Sequence, residues 1–469
     1  MSRARRIRDP VHGFISLRST ECDLLDTPAL QRLRGIHQLA MAYLVYPGAL
    51  HTRFDHTLGV LHVADSLCTE LGIDEDHTRL IRLAALLHDL GHGPFSHVSE
   101  DVLRDVPAPA GLATKAGKKE KIHELITQKI ILEHDDLKTI GEPERRDIAR
   151  LLKDGLDKRV YRDIVSGPLD ADKQDYLLRD SYFCGVQYGV YDLAQLHKTL
   201  TIGKDGDDEA LMVKANGVHA LEQFVLAKYY LFTQVYRHKV RLIADNMLIR
   251  ALLLGVTEDK IGFLKRLYVY EDSKKYLTNY LKWDDRRVIT ELLQSRYERT
   301  YAGRVFRRLI NRRLFKRILT LKLRDLPPAV VESLEKNFAK ERGGLEAAIA
   351  DKLKSLCPAQ AAEIDGKLVV LHQFKIDSVR TQSRNSEGPI LVTGRQQPIP
   401  FEEESVLFKS INAGLNEAYL ECYAPVEYRD DREKNNLLGG MKEFITGLVV
   451  RTFDHQAGRA QRPGKDKRP

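Results

Sequence analysis

Apolar residues recur three and four positions apart through much of the first half of the chain. PALQRLRGIHQLAMAYL from Pro28, HTLGVLHVADSLCTELG from His56, HTRLIRLAALLHDLGHG from His77 and the long run VHALEQFVLAKYYLFTQVYRHKVRLIADNMLIRALLL from Val218 all carry this spacing, which predicts amphipathic helices. Residues 28–255 therefore read mainly as helix. Ahead of them, IRDPVHGFISL alternates well enough to predict a short strand pair or extended arm. PAPAGLATKAGKKEK over 107–121 reads as a surface loop. Residues 256–325 continue as charged helices. The pattern shifts at Leu326-Pro327-Pro328, beyond which a helix over 329–355, strand-like runs in KLVVLHQFKI, GPILVTG and AYLECYAPVEY, and helices near 402–416 and 432–448 predict a small α+β unit. No internal repeat or heptad seam is present. The expected fold class is mainly α: a helical core with an N-terminal arm over 1–255, a helical extension over 256–325, an α+β domain over 326–454, and a disordered basic tail over 455–469.

Composition narrows the class of protein. Of 469 residues, 43% are hydrophobic and 30% charged, the balance of a globular protein with a sizeable core. No run of 18 apolar residues suggests a membrane span, and MSRARRIRDP has no apolar stretch behind it, which argues against a secretory signal. Five cysteines (Cys22, Cys68, Cys184, Cys357 and Cys422) are scattered without CxxC spacing. An odd, dispersed set fits reduced thiols in a cytoplasmic protein, not a disulfide framework or a zinc–thiolate site. The net charge of +8 admits nucleic acid or phosphorylated small molecules as partners without choosing between them.

The strongest chemical signal is LLHDLGHGPFSH, in which His88 and Asp89 are adjacent at a predicted helix end. Together with His56 in HTRFDHTLGV and Asp172 in LDADKQDYLLRD they make two imidazoles and two carboxylates from separate helices. Each alone reads more simply as a core histidine or a capping aspartate. As a set they suit one divalent cation, with Mn, Fe, Mg, Zn, Co and Ni all open. A metal in such a site acts as a Lewis acid and lowers the pKa of water. The turn after His88 should gather Asp89, His92 and His97 around the same spot. His92, His97 and His123 are candidates for protonating a leaving oxygen, because imidazole titrates near working pH. Glu100, three residues after His97, is placed to fix the His97 tautomer. Arg53, Lys173, Tyr176 and Asp180 lie one or two helical turns from the ligand candidates, with Tyr176 and Asp180 on the face of Asp172.

RDPVHGFISL, DTPALQRLRGIHQL, YPGALHTRFDHTLGV, LLHDLGHGPFSH, DADKQDYLLRDS and QVYRHKV together resemble the HD-domain deoxynucleoside triphosphate triphosphohydrolases, in particular the type whose HD domain accompanies a sterile-alpha-motif, and their bacterial relatives. The likeness runs in ordered blocks over roughly residues 5–255. It implies His56, His88, Asp89 and Asp172 as metal ligands, and His92, His97 and His123 as active-site histidines, with His97 at the leaving oxygen. It implies Arg53, Lys173, Tyr176 and Asp180 as groups holding phosphates and deoxyribose, Gln38 and Leu39 beside the sugar, and Tyr236 against the 2′ position. Lys228 departs from a family arginine, keeping the charge but losing the bidentate fork.

The resemblance also implies a guanine-nucleotide activator site in a homo-oligomer, dimer or tetramer. Asp26 and Arg34 match the pair that reads guanine, and Arg5 aligns with a family lysine, while Arg8 replaces a small polar residue. Asp26-Thr27-Pro28 reads equally well as a helix start. The implied activity is hydrolysis of a dNTP to deoxynucleoside and inorganic triphosphate. Two rivals remain at this level: an HD phosphohydrolase acting on another nucleotide ester, and a nucleotide- or nucleic-acid-binding regulator with a vestigial site.

Overall fold

A computed structural model describes residues 5–106, 122–376, 389–393, 397–411 and 417–460. The loop expected over 107–121 and the last residues of the basic tail lie outside them. The IRDPVHGFISL alternation becomes strands β1 (Arg5–Asp9) and β2 (Gly13–Leu17), paired antiparallel from Arg5↔Leu17 to Asp9↔Gly13. Helices α1 (Ser19–Leu25) and α2 (Pro28–Gln31) follow. Then come α3 (Arg53–Leu71), α4 (Glu75–Leu87), α5 (His97–Asp105), α6 (Ile122–Glu133), α7 (Glu142–Asp154), α8 (Arg159–Ser166) and α9 (Ala171–Cys184).

Residues 28–255 are not helical throughout. After α10 (Leu193–Thr199), β3 (Leu200–Asp205) and β4 (Asp208–Val213) form an antiparallel hairpin. Gly206-Asp207, with Gly206 at φ +67°, turns the chain there, and a Gly-led two-residue turn is a hairpin signal the helical reading passed over. Helices α11 (Val218–Leu231) and α12 (Lys239–Thr257) are joined through a π-helical turn, Phe232–Tyr236. The next elements are α13 (Gly262–Tyr268), α14 (Lys274–Tyr280), α15 (Asp285–Leu292) and α16 (Tyr301–Ile310).

The stretch expected to be charged helix up to 325 instead contains β5 (Lys316–Lys322). Its apolar run is too short for periodicity to separate strand from helix. Helix α17 (Pro328–Leu356) and β6 (Val370–Ile376) follow. Beyond them lie β7 (Leu391–Val392), β8 (Ile399–Pro400), α18 (Phe401–Glu404), α19 (Val406–Ile411), β9 (Glu417–Ala424) and α20 (Asp431–Ala460). Among the described residues no helix is long and apolar enough to cross a membrane.

Two compact units emerge. The first draws on Met1–Arg241, Ala251–Phe306 and Val379–Ala413, the second on Leu242–Arg250, Arg307–Ser378 and Gly414–Pro469. The main division between the units falls near Phe306–Arg307, and Leu242–Arg250 of α12 groups with the second. β7, taken from sequence as part of the α+β domain, pairs in parallel with β4 in the first unit, giving the sheet order β3-β4-β7-β8. In the second unit β5, β9 and β6 form a sheet in that order. Leu319, Leu371, Leu420 and Cys422 of that sheet join Ile349 and Leu353 of α17 and Met441, Ile445 and Val449 of α20 in one core. Helix α20 continues to Ala460, through the first six residues of the expected disordered tail.

Candidate metal and phosphate site

Three helix ends place the ligand candidates. Asp55 accepts hydrogen bonds from the backbone and hydroxyl of Thr52, both at 2.8 Å, and so starts α3 with His56 in its first turn. α4 stops at Leu87, one turn before the Gly91–Pro94 stretch expected to end it, and His88 is its C-cap. Asp170 caps α9 by accepting from the Lys173 amide at 2.7 Å, which puts Asp172 in that first turn. Two glycines permit the convergence. A Cβ on Gly59 would overlap Asp175 and Arg179 of α9, and one on Gly91 would overlap the backbone of His123 and Thr127 on α6.

His56, His88 and Asp172 offer ligand atoms within 4.8 Å of one another. His88 Nδ1 donates to the Ala85 carbonyl at 2.7 Å, and His56 Nδ1 donates to Asp175 Oδ2 at 2.8 Å. A neutral ring whose Nδ1 carries the proton presents a lone pair at Nε2. Both Nε2 atoms are buried without a hydrogen-bond partner, and they face Asp172 Oδ1 at 3.0 and 4.0 Å. Lone pairs aimed at a carboxylate repel unless a cation lies between them, so this donor set fits a divalent metal.

Asp89 borders the set, with Oδ1 3.3 Å from His88 Nε2 and Oδ2 3.8 Å from His56 Nε2. Its other partner is Arg53 Nη1 at 2.5 Å. Burial works against ionising Asp89, but Arg53, His88 and His92 outweigh it and hold the carboxyl well below the usual range. Burial likewise opposes charging His56, yet Asp172 and Asp175 lift its pKa to about 10. A site that draws a proton so strongly is one that a metal cation can occupy in its place. The Asp172 side chain is 35% exposed while that of His56 is fully buried, so the cluster meets solvent at Asp172.

The three other histidines form a wall on the far side of Asp89. His92 stacks on His123 with ring centroids 4.0 Å apart, and His97 stands edge-on to His92 at 5.3 Å. The His97 ring reaches solvent but is crowded by protein atoms, and that crowding, with the Arg53, His123 and Arg241 charges, lowers its pKa to about 3. Arg53 Nη2 lies 3.4 Å from His97 Nε2, and the guanidinium also donates to Ser96 Oγ. Glu100 does not serve His97 as expected. It accepts from His123 Nδ1 at 2.6 Å and from the Ile122 and His123 amides, capping α6. Helical geometry carries Glu100 toward the incoming α6 and away from the ring three residues before it.

The residues assigned to the sugar are linked through Asp180. Its Oδ1 accepts from His51 Nε2 at 2.7 Å and its Oδ2 from the Tyr236 hydroxyl at 2.5 Å. The Gln38 amide donates to the His51 carbonyl at 3.0 Å, Gln38 Oε1 is buried without a hydrogen-bond partner, and Leu39 is buried next to it. Tyr176 lies edge-on to Tyr236 at 6.3 Å. Tyr236 closes the π-helical turn, an irregularity that often marks functional positions. Lys173 binds the Gly167 carbonyl at 2.8 Å and Asp170 Oδ2 at 2.6 Å. Lys228 is half-buried in the last turn of α11.

Away from this site, Arg5 grips Asp26 through two hydrogen bonds of 3.0 and 2.8 Å. Asp26 is the C-cap of α1, and Thr27 occupies the N-cap position of α2. Arg34 lies over the Phe54 ring at 3.5 Å and bonds Gln31. Sequence reasoning missed Asp175, His12, His51 and Ser96. Asp175 sits at i+3 from Asp172, on the helical face already singled out for Tyr176 and Asp180, and that spacing was the available signal.

Residues 53–177 match the HD domain and residues 192–437 the HD associated region. The HD match spans His56, His88, Asp89 and Asp172. An uncharacterised protein of Methanocaldococcus jannaschii is 31% identical over 348 residues, covering 72% of this chain and 67% of its own length. The deoxynucleoside triphosphate triphosphohydrolase SAMHD1 of Gallus gallus is 30% identical over 342 residues, 66% of this chain and 55% of that enzyme. A crystal structure of a phosphohydrolase from Bacteroides thetaiotaomicron superposes with a TM-score of 0.69 at 25% identity, covering 90% of this chain and 99% of that one. The chain belongs to the HD-domain family of phosphohydrolases. Divalent-metal binding is a property of HD domains, and the lone-pair set around Asp172 is where this chain offers it.

Proposed function

We propose that this protein hydrolyses deoxynucleoside triphosphates to deoxynucleoside and inorganic triphosphate, with His56, His88, Asp89 and Asp172 holding a divalent cation. The observation that carries the reading is the pairing of two unlike halves: lone-pair donors around Asp172, and beside them the Arg53–His97 contact. When bound, the cation supplies Lewis acidity toward phosphoryl oxygens and a nucleophile at neutral pH.

The chain's own residues do the rest. Crowding by protein atoms, with the Arg53, His123 and Arg241 charges, keeps His97 neutral in the free protein. A triphosphate brings negative charge that reverses this bias, so His97 gains a proton and delivers it to the departing 5′-oxygen. His123, held by Glu100, and His92 stacked upon it form the surface against which the phosphates lie. On the sugar side, His51 and Tyr236 fix Asp180, and Leu39 and Tyr236 crowd C2′. A guanine nucleotide at Asp26 and Arg34 would have to displace Arg5 from Asp26 or recruit it to phosphate, and the oligomer would form around that junction.

The test is incubation of each dNTP and NTP with Mn²⁺, alone and with GTP or dGTP, resolving nucleoside, triphosphate and phosphate products. Cleavage of dNTPs in preference to NTPs, with triphosphate released, is expected. Equal cleavage of ATP and dATP would overturn the deoxy assignment and favour another nucleotide ester.

A further inference from the structure

The N-terminal hairpin is tied to the metal site by a buried chain of hydrogen bonds that the proposed reaction leaves unused. His56 Nδ1 donates to Asp175 Oδ2 at 2.8 Å. On the other side of the same carboxylate, His12 Nε2, from the β1–β2 turn, donates to Asp175 Oδ1 at 2.7 Å. Arg179, fully buried, donates to both Asp175 oxygens at 2.8 and 2.9 Å and to Asp9 Oδ2 at 2.8 Å. Asp9 Oδ1 in turn accepts from the amides of Val11 and His12, at 2.9 and 2.8 Å, and so shapes the turn that presents His12. The side chains of His12 and Asp175 are 4% and 0% exposed. Such a chain has no slack: moving the hairpin turn moves Asp175, and Asp175 sets both the tautomer and the ring orientation of His56.

We infer that His12 is a positioning residue for the metal site, holding Asp175 so that His56 presents its Nε2 lone pair to the cation. This rests on the reading of His56, His88 and Asp172 as ligands. The same carboxylate accepts from the metal-side imidazole, from His12 and from Arg179, so the two imidazole bonds lock its plane from opposite ends. The Gly59 position shows how closely the group is packed, since any side chain there would collide with Asp175 and Arg179. Partners behind a ligating histidine raise its basicity and fix its orientation, and their loss usually weakens metal affinity roughly 10- to 100-fold.

The experiment is titration calorimetry of Mn²⁺ into the metal-stripped full chain, with thermal melting to establish folding. His12→Ala is expected to weaken Mn²⁺ binding about 10- to 100-fold, and His12→Gln, which restores an N–H donor, to recover most of it. A purely structural role for His12 would not show that rescue. Wild-type affinity in folded His12→Ala, alongside loss of binding in His56→Ala, would overturn the inference while leaving the ligand assignment intact. Wild-type affinity in His56→Ala would instead remove the ligand assignment itself. If His12→Ala does not fold, His12→Leu and His12→Gln, of similar bulk but without and with an N–H donor, carry the test: weaker Mn²⁺ binding by His12→Leu than by His12→Gln supports the inference and equal affinity overturns it.

Discussion

The two sides of the site use the same side chain to opposite ends. Around Asp172, carboxylates surround His56 and lift its pKa to about 10. Across Asp89, crowding by protein atoms, with the Arg53, His123 and Arg241 charges, lowers His97 to about 3. One imidazole sits where positive charge is wanted and the other where it is resisted. Asp89 touches both sides, with His88 and His92 each 3.3 Å from its Oδ1 and Arg53 on its Oδ2. Under the proposed roles, a ligand histidine and a proton-donor histidine are told apart by what their second nitrogen and nearest charges are, not by residue type.

The largest expected effect comes from emptying the carboxylate side. Asp172→Asn, or His88→Ala with Asp89→Ala, should reduce metal content and hydrolysis to background in a folded chain. Full metal occupancy in both variants would break the comparison.

Altering the cationic side should leave the metal in place. His97→Ala should lower turnover by roughly two to four orders of magnitude, the usual worth of a general acid, with metal content unchanged. A loss below about threefold would move the role to His123 or water. The pH dependence follows from the direction of the shift. In the proposed mechanism His97, whose pKa is lowered to about 3 in the free protein, acts as an acid only beside bound phosphate, so kcat should fall as pH rises through its value in the complex. His97→Ala should remove that limb.

How much of this was legible in the sequence depended on range. The convergence of His56, His88 and Asp172 was readable because helix-end signals sit within a few residues of each: Thr52 and Asp55, the Gly91–Pro94 stretch, and Asp170. β1 and β2 were readable from alternation. What pairs across the chain was not. Glu100 is three residues from His97, but its partner is His123, brought by α6. His12 lies 163 residues from Asp175, and nothing near either one announces the bond. β7 was visible as a strand, yet its membership was decided by β4. Local pattern indicates element type only where the run is long or its turn signals are heeded, as β3, β4 and β5 show, whereas pairing follows from packing that periodicity does not record.

Arg179 separates folding from chemistry on the carboxylate side. Arg179→Met leaves Asp9 and Asp175 buried without their shared cation, which should cost roughly 3–5 kcal/mol, read by urea unfolding. A change within experimental error would show that water replaces the guanidinium and that the network is not closed.

A smaller effect is expected at the sugar. Leu39→Ala or Tyr236→Ala should raise NTP turnover relative to dNTP by roughly tenfold, the scale of a modest pocket change. Tyr236→Ala also frees Asp180 from one partner, so Leu39→Ala is the cleaner reading of steric exclusion. Asp26→Ala should have the least effect on the fold, because solvent screens its pair with Arg5. Its expected consequence is loss of any dGTP or GTP stimulation. Wild-type indifference to guanine nucleotides would mean that Arg5 and Asp26 only fasten the hairpin.

The most direct test is turnover of dATP with Mn²⁺ in ¹⁸O-water, followed by mass analysis of both products. Attack at the α-phosphorus with cleavage of its bond to the 5′-oxygen puts one label on a terminal phosphorus of inorganic triphosphate and none on deoxyadenosine. Labelled deoxyadenosine, or release of dAMP with pyrophosphate, would contradict it.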